Sequence, residues 1–320
     1  MTLAILCSGQ GPQHRGMFAL TGDAPEAEGV FAHATRLLGG DPRELVVSQS
    51  DAALHRNRVA QLLCTLHSLA ATAALRESMP ASLVIAGYSV GEVAAWGAAG
   101  SMAHADVLDI VSLRAEIMDE ASPAGDGLLF VRGLSFRVVE TLCEQNDASV
   151  AIVNPGDAFV VGGSRLALQA FGQRALAMSA TKVIPLHVEV ASHTKRLSRA
   201  SPLFRQALGT RRVSLPAVGT RLLSGIDGAT VIQIEPGLDK LAAQISQTVR
   251  WADCLQACIE AGASAFLELG PGRALCEMAA GAYPDVPARS LEDFRTLEGA
   301  RAWIASHAPR GGYPDPPRAP

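Results

Sequence analysis

Short runs of apolar residues alternate along the chain with longer segments in which apolar residues recur every three or four positions. Runs of the first kind, at residues 2–8, 82–86 and 265–269, predict buried strands. Segments of the second kind predict helices and lie at residues 25–38, about 57–78, 238–247 and 251–261. Because strands that alternate with helices form parallel sheets, the pattern predicts an α/β fold.

The middle of the chain has a different order of elements. It predicts a strand, a helix, two strands, a helix and a strand, at residues 127–132, 136–145, 149–154, 158–162, 165–178 and 182–188. This order is the split unit of a ferredoxin-like domain. We therefore predict a small subdomain at 126–190, inserted into a hydrolase-like parallel-sheet core formed by 1–125 and 191–307. The proline-rich residues 308–320 predict a disordered tail.

Composition and charge narrow the classes of function. Of the 320 residues, 48% are hydrophobic, which is enough for a large core and excludes a wholly disordered chain. A net charge of −4 argues against nucleic acid as a partner. No apolar run approaches the roughly 20 residues that span a membrane, and residues 1–10 carry no basic leader. We expect a cytoplasmic protein that does not enter a membrane.

The six cysteines are scattered through apolar segments. No CxxC pair occurs, and Cys254 and Cys258, one helical turn apart, have no second pair of ligands near them in the sequence. The sequence therefore predicts buried free thiols rather than disulfides or a zinc site, and it implies neither a metal nor a bound cofactor.

The strongest local motif is the segment Gly87-Tyr88-Ser89-Val90-Gly91, between a predicted strand and a predicted helix. A sharp turn from strand to helix exposes a serine hydroxyl, and glycines permit such a turn. The backbone N–H of Val90, at the start of the helix, would point at a developing oxyanion. A chance GxSxG in a glycine-rich chain is the alternative, and the flanking elements favour a nucleophilic Ser89.

A serine nucleophile needs a base, which is usually histidine. Of the eight histidines, His193 comes after a predicted strand, in the segment Val190-Ala191-Ser192-His193, where catalytic loops at the end of a sheet occur. His33, His55 and His67 lie in helical stretches and are most simply surface or packing residues. The residues alone thus favour His193 as the base.

Seven motifs, in order, resemble those of malonyl-CoA:acyl-carrier-protein transacylases, the acyltransferases of fatty acid and polyketide synthesis. The resemblance runs from residue 3 to about residue 282. The motifs are Ser8-Gly9-Gln10-Gly11-Pro12-Gln13 for PGQGxQ, residues 87–92 for GHSxGE, Arg114 one turn before Met118, Asn154-Pro155-Gly156 with Val161-Gly162-Gly163, Ser192-His193, Gln244 with Val249-Arg250-Trp251, and Glu268-Leu269-Gly270-Pro271-Gly272. The family's inserted ferredoxin-like subdomain agrees with the pattern at 126–190.

The resemblance implies a chemistry and residues for it. Ser89 would attack a thioester with His193 as general base and with a backbone carbonyl, not a carboxylate, orienting the imidazole. The backbone N–H groups of Gln10 and Val90 would hold the oxyanion. Arg114 would bind the malonyl carboxylate in a bidentate manner. Gln61, Asn154 and Gln244 would line the pocket, malonyl-CoA would be the substrate, and an acyl carrier protein would be the partner.

Some positions depart from the family pattern. Tyr88 replaces the usual histidine before the nucleophile, and Cys7-Ser8 replaces the usual Phe-Pro. With the segment Ala288-Arg289-Ser290-Leu291-Glu292-Asp293-Phe294, they look most like the epsilon subunits of malonate decarboxylases, which load that enzyme's own carrier subunit. A fatty-acid-synthesis transacylase is the alternative. With Ser192 before the histidine, a pocket that also accepts a methylmalonyl group is a further alternative.

Two other classes of protein are alternatives to an acyltransferase. An α/β serine hydrolase or thioesterase would use the same Ser89 but would require an acid and then a histidine after it, and would leave Arg114 without a role. A non-catalytic binding subunit would not need Ser89, His193 and Arg114 together. For Arg114 the alternative is an exposed helical residue paired with Glu116 or Asp119, and for Glu92 a simple preference for the positive end of its helix.

Overall fold

The computed structural model describes residues 2–11 and 13–307. These residues form nine strands: β1 (Thr2–Cys7), β2 (Leu83–Gly87), β3 (Asp126–Arg132), β4 (Ala148–Asn154), β5 (Ala158–Ser164), β6 (Lys182–Pro185), β7 (Thr220–Leu222), β8 (Ala263–Glu268) and β9 (Ala288–Ser290). The predicted tail at 308–320 lies outside the described residues.

The described residues also form thirteen α-helices. They are α1 (Glu28–Leu38), α2 (Pro42–Ser48), α3 (Asp51–Leu54), α4 (Asn57–Leu75), α5 (Val90–Ala98), α6 (His104–Ala121), α7 (Phe136–Gln145), α8 (Arg165–Ala177), α9 (Ala200–Leu208), α10 (Ile234–Ala243), α11 (Trp251–Glu260), α12 (Ala274–Ala282) and α13 (Leu297–Ser306). No helix within the two described ranges is long and apolar enough to cross a membrane.

A five-stranded parallel sheet forms the centre of the large domain. Its order is β7-β2-β1-β8-β9, and Ile5 of β1 pairs with Ile85 on one side and Leu267 on the other. Successive side chains of β1 point to opposite faces, so Leu3 and Ile5 join one apolar cluster while Ala4 and Leu6 join another. Because both faces are buried, β1 is almost wholly apolar, as strands of parallel sheets are. The predicted parallel α/β fold is confirmed.

A four-stranded antiparallel sheet forms the small subdomain. Its order is β4-β5-β3-β6, the ferredoxin-like order that the sequence predicts. One face packs against α7 and α8 through residues such as Val139 and Phe171. On the other face, Ile152 and Val160 join the cluster that covers the large sheet. The inserted subdomain is thus confirmed as part of the fold, while its limits at 126 and 190 stay a prediction.

Two predicted elements differ from the observed ones. The strand predicted at 182–188 ends at Pro185, because Leu186 donates the last backbone hydrogen bond to Leu128 and Val190 is already buried in the large core. The helix predicted at 238–247 is α10, which begins at Ile234 and ends at Ala243, so both predicted limits are wrong by four residues. Pro236 lies in its first turn, where a missing N–H costs no intrahelical hydrogen bond, so this proline does not delay the helix.

The six cysteines are buried free thiols, as predicted. Burial raises the pKa of Cys7 and of Cys258 to about 12. These thiols are therefore protonated at neutral pH and pack as small apolar groups.

Candidate active site

The turn between β2 and α5 holds Ser89 in an unusual backbone conformation. Its φ is 56°, and α5 begins at the next residue, Val90. A Cβ at Gly87 would lie 2.1 Å from the carbonyl oxygen of Gly91, and one at Gly91 would lie 2.1 Å from that of Cys7. Only glycine fits at both positions, which is why the motif has glycine on either side of the serine. The predicted elbow is present.

Ser89 and His193 are in hydrogen-bond contact. The Ser89 Oγ lies 2.7 Å from Nε2 of His193, and Nδ1 of His193 lies 2.6 Å from the backbone oxygen of Gln244. Because a carbonyl oxygen only accepts, Nδ1 carries the proton and Nε2 accepts the serine hydroxyl. The orienting group is a backbone carbonyl, as the resemblance implies.

The environment of His193 keeps its imidazole neutral. Burial, and then the charge of Arg114, lower the pKa of His193 to about 3. The residue is 1% exposed, has a φ of 62°, and donates its backbone N–H to the oxygen of Ile245 over 2.7 Å. The ring is therefore held in place in the form that accepts a proton.

Arg114 is buried on α6, and the alternative of an exposed surface pair is wrong. Its Nη1 donates to Oε1 of Gln61 over 2.6 Å, and its Nη2 donates to Oε1 of Gln244 over 3.2 Å. Glu116 pairs instead with Arg58, and Asp119 accepts from Asn57. These two carboxylates lie on the outer face of α6, whereas Arg114, 1% exposed, faces the interior.

The guanidinium has hydrogen-bonding capacity left over. Its Nε has no partner among the described residues. Burial lowers the pKa of Arg114 to about 10, so the group is still charged at neutral pH. A buried, charged arginine whose neighbours are neutral amides is suited to bind an anion.

Gln244 connects the serine–histidine pair to Arg114. Its side-chain Nε2 donates to the backbone oxygen of Ser89 over 3.0 Å and to Oε2 of Glu92 over 2.6 Å. Its side-chain oxygen accepts from Arg114, and its backbone oxygen accepts from His193. On the other side of Arg114, the Nε2 of Gln61 donates to Oδ1 of Asn57 over 2.7 Å. Both glutamines are fully buried.

Val90 directly follows Ser89, and the loop that carries Gln10 passes close to Ser89 at Gly9. Val90 is the first residue of α5, so its backbone N–H has no acceptor within the helix. Gln10 follows Gly9, whose Cβ, if present, would lie 3.6 Å from that of Ser89. The next residue, Gly11, donates its N–H to the side chain of Gln13 over 2.7 Å, which holds this loop.

Asn154 lies apart from the cluster around Arg114. It ends β4, is 5% exposed, and lies beside the hydroxyl of Tyr88, with no partner for its Oδ1 in the described part of the chain. The Tyr88 ring meets Trp251 edge-on with centroids 5.4 Å apart. The structure thus brings together Ser89 and the other predicted residues, with Asn154 at their edge through Tyr88.

Sequence reasoning missed the burial and the contacts of Glu92. Glu92 lies in the first turn of α5, as the helix-end preference predicts, but its side chain is also 1% exposed and bonded to Gln244. Every residue of α5 is buried, because the helix is apolar on all sides. A carboxylate in such a helix has no exposed face to occupy, and that was the available signal.

Comparison with known proteins identifies the family. The family model for the acyl transferase domain matches residues 5–290. The chain belongs to this acyl transferase domain family. A malonyl CoA-acyl carrier protein transacylase of Haemophilus influenzae is 26% identical over 310 residues, which cover 94% of this chain and 98% of the relative.

Solved structures of acyl transferases share the fold. The acyl-carrier-protein S-malonyltransferase of Burkholderia pseudomallei superposes with a TM-score of 0.87 at 26% identity, over 94% of this chain and all of the other. A malonyl-transacylase in complex with its type II PKS acyl-carrier protein gives a TM-score of 0.88 at 26% identity, over 94% and 99% of the two chains. This chain is therefore similar to acyl transferases over nearly its whole described length.

Proposed function

We propose that this protein transfers a malonyl group from malonyl-CoA to the thiol of an acyl carrier protein through a malonyl-serine intermediate. The observation that carries the proposal is the pair Ser89 and His193, 2.7 Å apart, joined through Gln244 to the buried cation Arg114. A nucleophile next to a buried guanidinium suits an acyl group that carries its own carboxylate. The relatives' names, which specify malonyl transfer to a carrier protein, support the same assignment.

In the first half-reaction, Ser89 Oγ attacks the thioester carbon while Nε2 of His193 takes its proton. The backbone N–H groups of Gln10 and Val90 stabilise the oxyanion, and Arg114 binds the malonyl carboxylate. When the C–S bond breaks, His193 returns the proton to the CoA thiolate. In the second half-reaction the carrier thiol attacks the ester, its proton passes to His193, and Ser89 leaves and is reprotonated.

Two carriers are candidates for the acceptor. The departures at Tyr88 and at Cys7-Ser8 motivate the carrier subunit of malonate decarboxylase. The relatives' names support a fatty-acid or polyketide carrier protein equally. Pocket-lining roles for Gln61, Asn154 and Gln244, and a cytoplasmic location, are part of the same proposal.

The test is the mass of the intact protein after incubation with malonyl-CoA. We expect a mass increase of one malonyl group on the peptide that contains Ser89. Addition of a carrier protein should then move that malonyl group to one of the two candidate carriers. Ser89→Ala should abolish the adduct, whereas Ser135→Ala, an exposed serine of the small subdomain, should retain it. An adduct that persists on Ser89→Ala would refute the nucleophile. Rapid CoA release without a carrier would indicate a hydrolase instead.

A further inference from the structure

Glu92 is a buried carboxylate beside the reacting residues. Its Oε2 accepts from Nε2 of Gln244 over 2.6 Å, and the backbone at Gly225 packs against the carboxylate, since a Cβ there would lie 2.5 Å from Oε2. Among the described residues, the side-chain hydrogen bond of this carboxylate runs to an amide rather than to a cation. A buried anion is costly unless it is well hydrogen-bonded, so its placement needs a reason beyond helix formation.

The contacts of Gln244 fix the orientation of its side-chain amide. The NH₂ group faces two acceptors, the Glu92 carboxylate and the backbone oxygen of Ser89, and the carbonyl oxygen faces the Nη2 of Arg114. If the amide were flipped, its oxygen would face two acceptors and its NH₂ group would face a guanidinium. An ionised carboxylate cannot donate, so it strongly disfavours the flipped state.

We propose that Glu92 is a positioning residue for malonyl selectivity, because its carboxylate holds the Gln244 amide with the carbonyl oxygen toward Arg114. That oxygen accepts from Nη2 and so fixes the orientation in which the guanidinium would meet a substrate carboxylate. The inference rests on the proposed malonyl transfer. An acyl group without a carboxylate does not use Arg114, so the effect of Glu92 should be specific to malonyl.

The ionisation of Glu92 adds a signature in pH. Burial raises the pKa of Glu92 to about 7; Asp227 also raises it and Arg114 lowers it. Cys254 on α11 also faces this carboxylate, and burial keeps its thiol protonated. Below pH 7 the protonated carboxyl becomes a donor and holds the amide less firmly. The malonyl-over-acetyl preference should therefore rise as the pH rises through about 7.

The experiment compares the rates of malonyl and acetyl loading on Ser89 in the full chain, from pH 5.5 to 8.5. For Glu92→Gln we expect malonyl loading to fall about tenfold and acetyl loading to change less than about twofold. The ratio of the two rates should also lose its pH dependence. Because both acyl groups use Ser89 and His193, the ratio cancels their titration. The control is Glu116→Gln, which removes a carboxylate two residues from Arg114 on the outer face of α6.

A second variant displaces the carboxylate and keeps its charge. A Cβ at Gly225 would lie 2.5 Å from Oε2 of Glu92, while the backbone there has no positive φ that would exclude alanine. Gly225→Ala should therefore reduce malonyl loading selectively, as Glu92→Gln does. This variant keeps the test open if Glu92→Gln does not fold.

Each outcome has one meaning. A selective loss of malonyl loading in the variants, with a pH-dependent ratio in the wild type only, supports the inference. Equal losses of both acyl groups, or an unchanged ratio, overturn it and leave malonyl transfer intact. If the wild-type protein forms no malonyl adduct at all, the proposed function itself is wrong, and this inference is overturned with it.

Discussion

Glu92 and Glu268 are both buried near the carboxyl ends of the parallel strands, but they accept hydrogen bonds from different kinds of donor. Burial raises the pKa of both Glu92 and Glu268 to about 7. Glu268 accepts from the hydroxyl of Ser8 over 2.5 Å and from the backbone N–H groups of Leu275 and Cys276 at the start of α12. Glu92 instead holds a side-chain amide that contacts Ser89 and Arg114.

The comparison shows that burial and a perturbed pKa do not by themselves identify a functional group. Two of the donors to Glu268 are backbone groups that a formed helix fixes, so this carboxylate stabilises the helix start and the end of β1. The main donor to Glu92 is a side-chain amide that can flip, and the flip would change what Arg114 meets. A buried carboxylate therefore affects the site only where its hydrogen-bond donor can adopt a second orientation, as the Gln244 amide can.

The largest effect is expected when Glu268 is removed. Glu268→Ala leaves three buried donors without an acceptor, and we expect a loss of about 3 kcal/mol in the free energy of unfolding. The malonyl-over-acetyl loading ratio should not change, because Glu268 does not contact Gln244 or Arg114. Urea unfolding measures the first quantity and intact mass the second.

The control variant for Glu268→Ala changes a residue of α12, the helix whose first N–H groups Glu268 accepts from. Glu277→Ala removes an exposed carboxylate from α12 and should alter stability by no more than about 0.5 kcal/mol. If Glu268→Ala changed the loading ratio as Glu92→Gln is expected to, the contrast between the two carboxylates would be lost.

The next effect concerns the residue on which Glu92 acts. Arg114→Ala should reduce malonyl loading by roughly 100-fold and leave acetyl loading far less affected, because only malonyl offers a carboxylate to the guanidinium. In this background, Glu92→Gln should cause no further change in the ratio. Additive effects in the double variant would show that Glu92 acts independently of Arg114.

The sequence predicted most of the fold because its elements follow local patterns. Strand β1 is a short apolar run, and α4 begins at Asn57, where the spacing of apolar residues predicts it. The βαββαβ order gave the second sheet without any knowledge of packing. The predicted start of α10 at residue 238 is four residues late, although a first turn tolerates Pro236.

The site was predictable in its parts but not in its connections. Ser89 follows β2 as predicted, but β6 ends at Pro185 and belongs to the small sheet, so the expectation that His193 stands at a strand end is wrong. The positions of Gln61, Arg114 and Gln244 came from the family resemblance. The sequence alone does not show that α4, α6 and the segment after α10 meet, since these contacts join residues 53 and 130 positions apart. It therefore placed Glu92 correctly at a helix end but did not show its contact with Gln244.

The smallest effect is expected at Asp119, which extends the comparison to the other side of Arg114. Asp119 accepts from Nδ2 of Asn57 over 2.7 Å, the Oδ1 of Asn57 accepts from Gln61, and Gln61 accepts from Arg114. This series of hydrogen bonds fixes the Gln61 amide as Glu92 fixes the Gln244 amide. The carboxylate of Asp119 is exposed, however, so water can replace it as the acceptor. Asp119→Asn should therefore lower the malonyl-over-acetyl ratio by no more than about twofold to threefold, with the exposed neighbour Glu120→Gln as control. A decrease as large as that expected for Glu92→Gln would mean that an exposed carboxylate orients an amide as firmly as a buried one. The orientation of the Arg114 guanidinium would then depend on the number of amides hydrogen-bonded to it and not on the burial of the carboxylates.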